Sequence, residues 1–421
     1  MKKLLLISPF YYPYNTPASH RIHSFAKYLS EYGFSSTILC VDCNKETCFE
    51  MGKGSAYKYD SALEGRDVCR TLRVPFLPLK PTKFAREMGY LRPLSGSDGL
   101  VPILLSRAMD LLKEESFSII LATSGPLESL NVACRLSAIT GYPWIADLRD
   151  ISMEHGLRCQ WTRPWAWRSW PYKAWEAHQE ASICRKANAV ITVSPPLADT
   201  LHKRGVPNVQ VIFNGFDDSD YTQKTVGDTK VFQVVYAGVM QSGCNPNPLF
   251  DALDLLLSKG SIHLDDFNVI FYGPLKNQIE PCIHGRLCKP LVTLGGWSPR
   301  EQMHRIMSES SILLQLSYPK VKGIITSKIF EYLGAARPIL SIPRDNGVID
   351  SLLNETGAGL SADTPREIAD IILEFYRQWK EKGRAAYLGN PEAIFRYTRK
   401  AQAKKLAKIL QEILNDSRVR I

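Results

Sequence analysis

Lys322 to Pro338, KGIITSKIFEYLGAARP, holds the residues whose types and spacing are best suited to chemistry. It reads as a loop feeding a helix that opens with two good amino-terminal capping residues, Thr326 and Ser327. Neither has a Glu or Gln three residues on, so no capping box closes and the first-turn N–H groups are left for an anion such as a phosphate. Lys328, Glu331 and Ala335 recur at three- and four-residue steps, while Ile329, Phe330, Leu333 and Ala336 form the opposite, apolar stripe. One stripe packs and the other faces something polar; a packed helix with a solvated face would give the same pattern. Pro338 is expected to stop the helix, and PILSI (338–342) has the apolar, branched character of a buried strand.

Such a helix needs a framework that presents its amino end, and the rest of the chain supplies one. Strand signals at 3–8, 36–41, 118–123, 142–147, 189–194 and 209–213 alternate with helical periodicity, beginning with a helix from about Ser19 to Tyr32 closed by Gly33. Strand, loop, helix, strand is the opening of a doubly wound parallel sheet. TQKTVGDTK (222–230) is polar and aperiodic and reads as a linker. The alternation then restarts with strands at 231–237, 268–273, 290–296, 311–316 and 338–342 and helices at 248–258 and 299–308. Two helix starts carry capping boxes with Pro in the first position, at Ser298–Glu301 and Thr364–Glu367. The expected fold is α/β, with residues 1–225 and 226–395 as two Rossmann-like doubly wound domains facing a central cleft. A basic amphipathic helix within 396–421 would cross back to the first domain. Residues 44–100 are poorly patterned, and their basic stretch at 77–93 reads as a surface excursion.

A chain of 421 residues with 45% hydrophobic and 22% charged residues is an ordinary soluble globular protein, not a disordered or fibrous one. The net charge of +10 favours an anionic partner without choosing among nucleotide, lipid headgroup and nucleic acid. No nucleic-acid motif appears, and none is expected as a partner. Lys2-Lys3-Leu-Leu-Leu-Ile imitates a signal peptide, but Ser8, Pro9 and the Tyr-Tyr-Pro run cut it short, so it reads as a strand. No stretch is apolar for long enough to span a membrane. The ten cysteines are scattered apart from Cys40, Cys43 and Cys48, which lack a fourth ligand for zinc; reduced thiols and a cytoplasmic setting are expected.

WIADLRD (144–150), ANAVITVS (187–194), VIFNGFD (211–217), VYAGVM (235–240) and SKIFEYLGAARPIL (327–340) stand in this order along nearly the whole chain. Together they resemble the family 4 glycosyltransferases of the GT-B fold. That resemblance implies a transferase that moves a sugar from a nucleotide diphosphate donor with retention, to a polysaccharide or glycolipid precursor. Other members of the fold are sugar-nucleotide epimerases, and a non-catalytic scaffold is the third alternative. By the same resemblance Glu331 matches a carboxylate that holds the donor's ribose hydroxyls, and its two acceptor oxygens suit a vicinal diol. The family's other glutamate would fall at Gly323 and is absent. Relatives present an Arg and a Lys in the loop after Gly238; here Val239 and Gln241 follow, with no basic residue before Lys259, which leaves Lys328 to supply charge to the phosphates. Gly273 and Gly296-Trp297 match loops that surround the base. In the first loop, Pro17-Ala18-Ser19 replaces paired glycines, and Arg21 would bind a phosphate or close an ion pair inside the domain. Asp147-Leu-Arg149-Asp150 stands where relatives keep a polar motif. Asp150 would take a proton from an acceptor hydroxyl or orient it, with Arg149 beside it; the alternative is an ion pair of Asp147 or Asp150 with Arg149.

Arg158 to Trp175 holds five of the eight tryptophans interleaved with Arg158, Arg163, Arg168 and Lys173. Aromatics beside cations suit an anionic membrane surface or a lipid-linked acceptor, and equally a compact aromatic layer. The donor site is expected to work without a metal or other cofactor, because no Asp-x-Asp or His-carboxylate pair is placed to hold one beside the phosphates. The expected partners are thus a nucleotide diphosphate sugar, a sugar or lipid-linked acceptor, and an anionic membrane met peripherally on its cytoplasmic face.

Overall fold

The computed structural model describes residues 1–43, 59–75, 100–124, 127–152, 170–221, 230–240, 243–273, 276–318 and 325–419. The chain divides into two compact units, residues 1–214 with 399–421, and residues 215–398. The expected boundary at 225/226 falls later, within a segment outside the described residues; the chain leaves the first unit at Asn214.

The first unit runs β1 (Lys2–Ile7), α1 (Pro17–Leu29), β2 (Phe34–Val41), β3 (Arg70–Val74), α2 (Leu100–Glu114), β4 (Ile119–Thr123), α3 (Glu128–Thr140), β5 (Trp144–Leu148), α4 (Trp170–Cys184), β6 (Ala189–Thr192), α5 (Pro195–Lys203) and β7 (Val209–Val211). Its strands are all parallel, in the order β3-β2-β1-β4-β5-β6-β7. Such strands are covered on both faces, which is why LLLI, ILCV and IILA read as continuous apolar runs. The order reverses between β1 and β4, and ligands of open parallel sheets sit beyond the carboxyl ends at that point.

The second unit repeats the plan with β8 (Phe232–Ala237), α6 (Asn247–Ser258), β9 (Phe267–Tyr272), α7 (Lys276–Ile283), β10 (Val292–Gly296), α8 (Arg300–Glu309), β11 (Ile312–Leu316), α9 (Ser327–Ala335), β12 (Ile339–Ile342), α10 (Val348–Thr356), β13 (Gly359–Ser361), α11 (Pro365–Lys382) and α12 (Pro391–Phe395). Its sheet is parallel in the order β10-β9-β8-β11-β12-β13, and the reversal lies between β8 and β11. α9 follows β11, so its amino end rises at that reversal. The last helix, α13 (Arg399–Val419), packs on α1 and so belongs to the first unit. Leu406, Leu410 and Ile413 join Ile22, Phe25 and Leu29 over Leu4, Leu6 and Leu121. Each side chain so buried contributes roughly 1.5–3 kcal/mol, enough to fix a helix whose other face is basic.

Some local expectations need correction. The Thr364 capping box forms, with Thr364 accepting from Glu367 N–H and the Glu367 carboxylate accepting from Thr364 N–H. The Ser298 box does not: Pro299 is the cap of α8, and the Ser298 hydroxyl is buried without a partner. α9 ends at Ala335 rather than at Pro338, with Ala336 in a left-handed cap at φ 53°. Ala335 and Tyr332 are buried with Ile329, Phe330 and Leu333, so the packed face is wider than the apolar stripe implied.

Candidate functional site

α9 is anchored by its own tyrosine. Tyr332 donates to the Leu314 carbonyl at 3.1 Å and accepts from Ala237 N–H at 2.9 Å, tying the helix to β11 and to the end of β8. Thr326 is the amino-terminal cap, yet it makes no capping bond, and its Oγ1 is buried without a partner. A helix start whose cap side chain makes no bond to the first-turn N–H groups suits an anion. Ser327 opens the first turn and is half-buried.

Lys328 leans from this turn onto the loop after β8. Its Nζ donates to the Tyr236 hydroxyl at 2.6 Å and lies 3.8 Å from the Tyr236 ring centre. Tyr236 in turn donates to the Val239 carbonyl at 3.1 Å. Burial of the ammonium pushes its pKa down to about 7, although the residue as a whole keeps partial exposure. No carboxylate is within bonding reach of it among the described residues, so an arriving phosphate would restore its charge.

Two glycines allow this approach. Gly238 (φ 108°) would place a Cβ 3.2 Å from Lys328 Cε, and Gly273 (φ 124°) would place one 2.7 Å from the Gly238 carbonyl oxygen. Gly238 N–H donates to Tyr272 O, and Gly273 N–H to Gly296 O. The loops after β8, β9 and β10 thus converge, and Gly238, Gly273, Gly296 and Lys328 come together as expected of a ligand-binding edge. Trp297 stands beside them, 60% exposed. Gln241 and Gly323 lie outside the described residues.

Glu331 is one turn further on and is heavily engaged. Its Oε1 accepts from Arg300 Nη2 at 2.9 Å, while its Oε2 accepts from the Tyr221 hydroxyl at 2.9 Å and lies 3.5 Å from His304 Nε2. Arg300 also reaches Asp220 at 3.0 Å. Burial works against the Arg300 charge, but Glu331 and Asp220 outweigh it and hold the pKa above its ordinary value. Burial, then Glu331, pushes the Tyr221 hydroxyl well above its ordinary range, so it remains a donor. Asp220, His304 and Glu331 bring possible metal-ligand atoms within 4.8 Å of one another. The Arg300 guanidinium, however, bridges Asp220 and Glu331 where a cation shared by those carboxylates would sit. Arg300, Tyr221 and His304 carry this cluster and were not singled out from sequence. The available signal was the four-residue step from Arg300 to His304, which puts both on one face of α8.

In the first unit the arginine reading resolves to an ion pair. Arg21 donates through Nε and Nη2 to the Asp147 carboxylate at 2.9–3.2 Å and through Nη1 to the Phe213 carbonyl at 2.9 Å. Both side chains are almost wholly buried, at 1% and 0% exposure. Arg21 is therefore not a phosphate ligand in this arrangement, because its fork is spent on Asp147 and the end of the β7 segment. Ser19 is corrected likewise: it is fully buried and its N–H and hydroxyl bond to Thr16, the cap of α1. The alternative pairing of Asp147 with Arg149 also fails, since Arg149 Nη2 donates to the Ser124 carbonyl at 2.9 Å. Asp147 ends β5 facing inward, whereas Arg149 and Asp150 follow the strand and are half-buried. Their loop is pinned by Glu180, which accepts from Ser152 N–H and Oγ at 3.1 and 3.0 Å and from Arg204 at 3.2 Å. The segment 158–175 lies outside the described residues up to the start of α4. Among the described residues no helix is long and apolar enough to cross a membrane.

Comparison with known proteins agrees with this architecture. The family model for Glycosyltransferase Family 4 matches residues 18–220, and a model described as Glycosyl transferase-like matches residues 262–420. HepE of Anabaena in complex with UDP-glucose superposes with a TM-score of 0.63 at 15% identity, over 98% of this chain and 100% of that one. This chain is a glycosyltransferase of the GT-B fold that resembles family 4. No curated protein sequence matches it. A putative UDP-N-acetylglucosamine 2-epimerase from Listeria monocytogenes shares the fold at a TM-score of 0.55 and 11% identity, over 99% and 98% of the two chains. The N-terminal domain of trehalose-6-phosphate phosphatase from Candida albicans does so at 0.61 and 11%, over 99% and 97%.

Proposed function

We propose that the chain transfers a sugar, with retention, from a nucleotide diphosphate sugar to a sugar or lipid-linked acceptor in building a surface polysaccharide or glycolipid. The observation that carries this reading is the convergence at the β8–β11 reversal: an uncapped helix amino end, the orphan Thr326 hydroxyl and a desolvated Lys328 closing on Gly238. These groups suit a diphosphate, and Glu331, oriented by Arg300, suits a ribose diol. In the transfer, the bond from the sugar's anomeric carbon to the phosphate oxygen breaks with its electron pair left on the diphosphate. The new bond forms to the acceptor oxygen, whose proton passes to Asp150. The α9 amino end and Lys328 offset the leaving-group charge, so no metal is required.

The test is turnover of a panel of nucleotide sugars with and without a lipid-linked acceptor, joined to calorimetry of nucleoside diphosphate on Glu331→Ala. Product should form only with acceptor, and the variant should lose roughly 1.5–3 kcal/mol of binding, the range for hydrogen bonds to a charged group. Free sugar-nucleotide isomer formed without acceptor would mean an epimerase. Unchanged nucleotide binding by the variant would remove Glu331 from the donor site.

A further inference from the structure

The carboxyl end of α9 borders a cavity of about 420 Å³, at the opposite end of the helix from the proposed donor phosphates. Arg337, Lys382 and Arg384 line it, and no acidic side chain does among the described residues. Arg337 follows the left-handed cap Ala336 and donates through Nε to the Ser308 carbonyl at 2.6 Å. Lys382 and Arg384 flank Gly383, the cap of α11, and are exposed.

The simplest account is that three helices, α8, α9 and α11, end here and that the cations offset their carbonyl dipoles. That account covers the bond from Arg337 to Ser308. It does not cover two further observations. Burial, reinforced by repulsion from Arg384 and only partly offset by Glu309, holds the Arg337 pKa below its ordinary value. Lys382 and Arg384, on the cavity wall, make no ion pair among the described residues.

Guanidinium forks and an ammonium around a space of this size suit a compact dianion with several acceptor oxygens. We propose that this cavity is a second anion site that binds a phosphate monoester group. A small phosphorylated solute and a lipid phosphate headgroup present the same chemistry. The cavity also touches Tyr221, whose ring packs against Gly334, where a Cβ would come within 2.5 Å of Tyr221 Cε2. The Tyr221 hydroxyl donates to Glu331, so an occupant lies one side chain away from that carboxylate.

The proposal is tested on the full chain by calorimetry with inorganic phosphate at constant ionic strength, and by sedimentation with phosphatidylcholine vesicles with or without phosphatidic acid. The parent should take up one phosphate per chain, and Lys382→Glu with Arg384→Glu should weaken it at least tenfold. Lys276→Glu, which reverses an exposed lysine elsewhere on the same unit, should leave it unchanged. Lys328→Met should also retain it; loss there would place the phosphate in the donor site and overturn the proposal. Sedimentation that depends on phosphatidic acid and is lost in the double variant identifies a lipid headgroup; phosphate binding without such sedimentation identifies a soluble ligand. Equal phosphate affinity in parent and double variant, or neither phosphate binding nor phosphatidic-acid-dependent sedimentation in the parent, would refute it.

Discussion

Lys328 allows a prediction whose sign and size both follow from its surroundings. Its ammonium sits against Tyr236, and burial lowers its pKa to about 7. A diphosphate at the α9 amino end would raise that pKa again, because an opposite charge favours the protonated form. Binding is therefore coupled to uptake of a proton above pH 7. With a free-state pKa of about 7, roughly one molecule in eleven carries the charge at pH 8, and apparent affinity should fall about tenfold from its value at pH 6, or about 1.4 kcal/mol. The dissociation constant of a nucleoside diphosphate should rise toward a slope of about one log unit per pH unit between pH 7 and 9, a window above the last phosphate ionisation. Calorimetry over that range, with the bare nucleoside as control, reads the effect directly. Lys328→Met keeps the length of the side chain and should flatten the slope, leaving the nucleoside unaffected. Stability has its own sign. The folded pKa lies below that of an unfolded lysine, so between about 7 and 10.5 the unfolded state binds more protons and stability rises with pH. Below pH 7 the charge is a cost in the folded state, limited by solvent access to on the order of 1–2 kcal/mol, and Lys328→Met should melt higher there. An identical pH slope in parent and Lys328→Met would refute the assignment of Lys328 to the phosphates.

Asp150→Asn should leave nucleotide affinity unchanged and lower turnover tenfold or more, about 1.4 kcal/mol of barrier, because Asp150 lies on the first unit and the nucleotide is assigned to the second; steady-state kinetics beside calorimetry separates the two. Turnover should survive EDTA, and a loss restored by manganese would show that a metal shares the site with Arg300. Glu180 has its pKa raised by burial to about 7, opposed by the bonds from Ser152, so the folded state holds a proton that the unfolded chain releases between about pH 4.5 and 7. Its contribution to stability should fall as pH rises through that window, and thermal melts of Glu180→Gln should show a flatter profile there.

The parts of the fold that were legible in the sequence are those whose signal is local. Central parallel strands such as LLLI (4–7) and IILA (119–122) are buried on both faces, and the helical segments after them close on left-handed glycines, Gly33 after a 3-10 turn that extends α1 and Gly141 after α3, so pattern and position coincide. Two of the four edge strands were not legible. β3 is RTLRV, in which only Leu72 and Val74 are buried, and β13 is three residues long; an edge strand half in solvent gives no continuous apolar run. Polar pairing was harder still. Arg21 and Asp147 are 126 residues apart, and Tyr221 and Glu331 are 110 apart, so no spacing rule connects them until the sheets bring their ends together.

The same contrast explains which of the expected residues stand together at one sheet edge. Gly238, Gly273 and Lys328 sit where strand ends must converge, and there backbone shape decides: a Cβ at Gly273 would run into the Gly238 carbonyl. Such positions follow from topology once the strand order is known. Arg21 and Glu331 are different, because a charged side chain near the end of a strand can turn toward a ligand or toward a buried partner, and its sequence neighbourhood is the same in both cases. Arg21 turned inward, since Asp147 ends β5 with its carboxylate inside and an unpaired charge there would cost several kcal/mol. Glu331 turned toward Arg300, whose own place is fixed by the Pro299 start of α8. A donor site at this edge would thus be built from a backbone cradle that the fold dictates and a charged rim that only tertiary packing selects. On the proposed reading, that rim would offer the diphosphate one desolvated lysine in place of the Arg and Lys expected after the first strand of this domain. A single ammonium tuned near neutral pH would make donor binding, rather than catalysis alone, sensitive to protons.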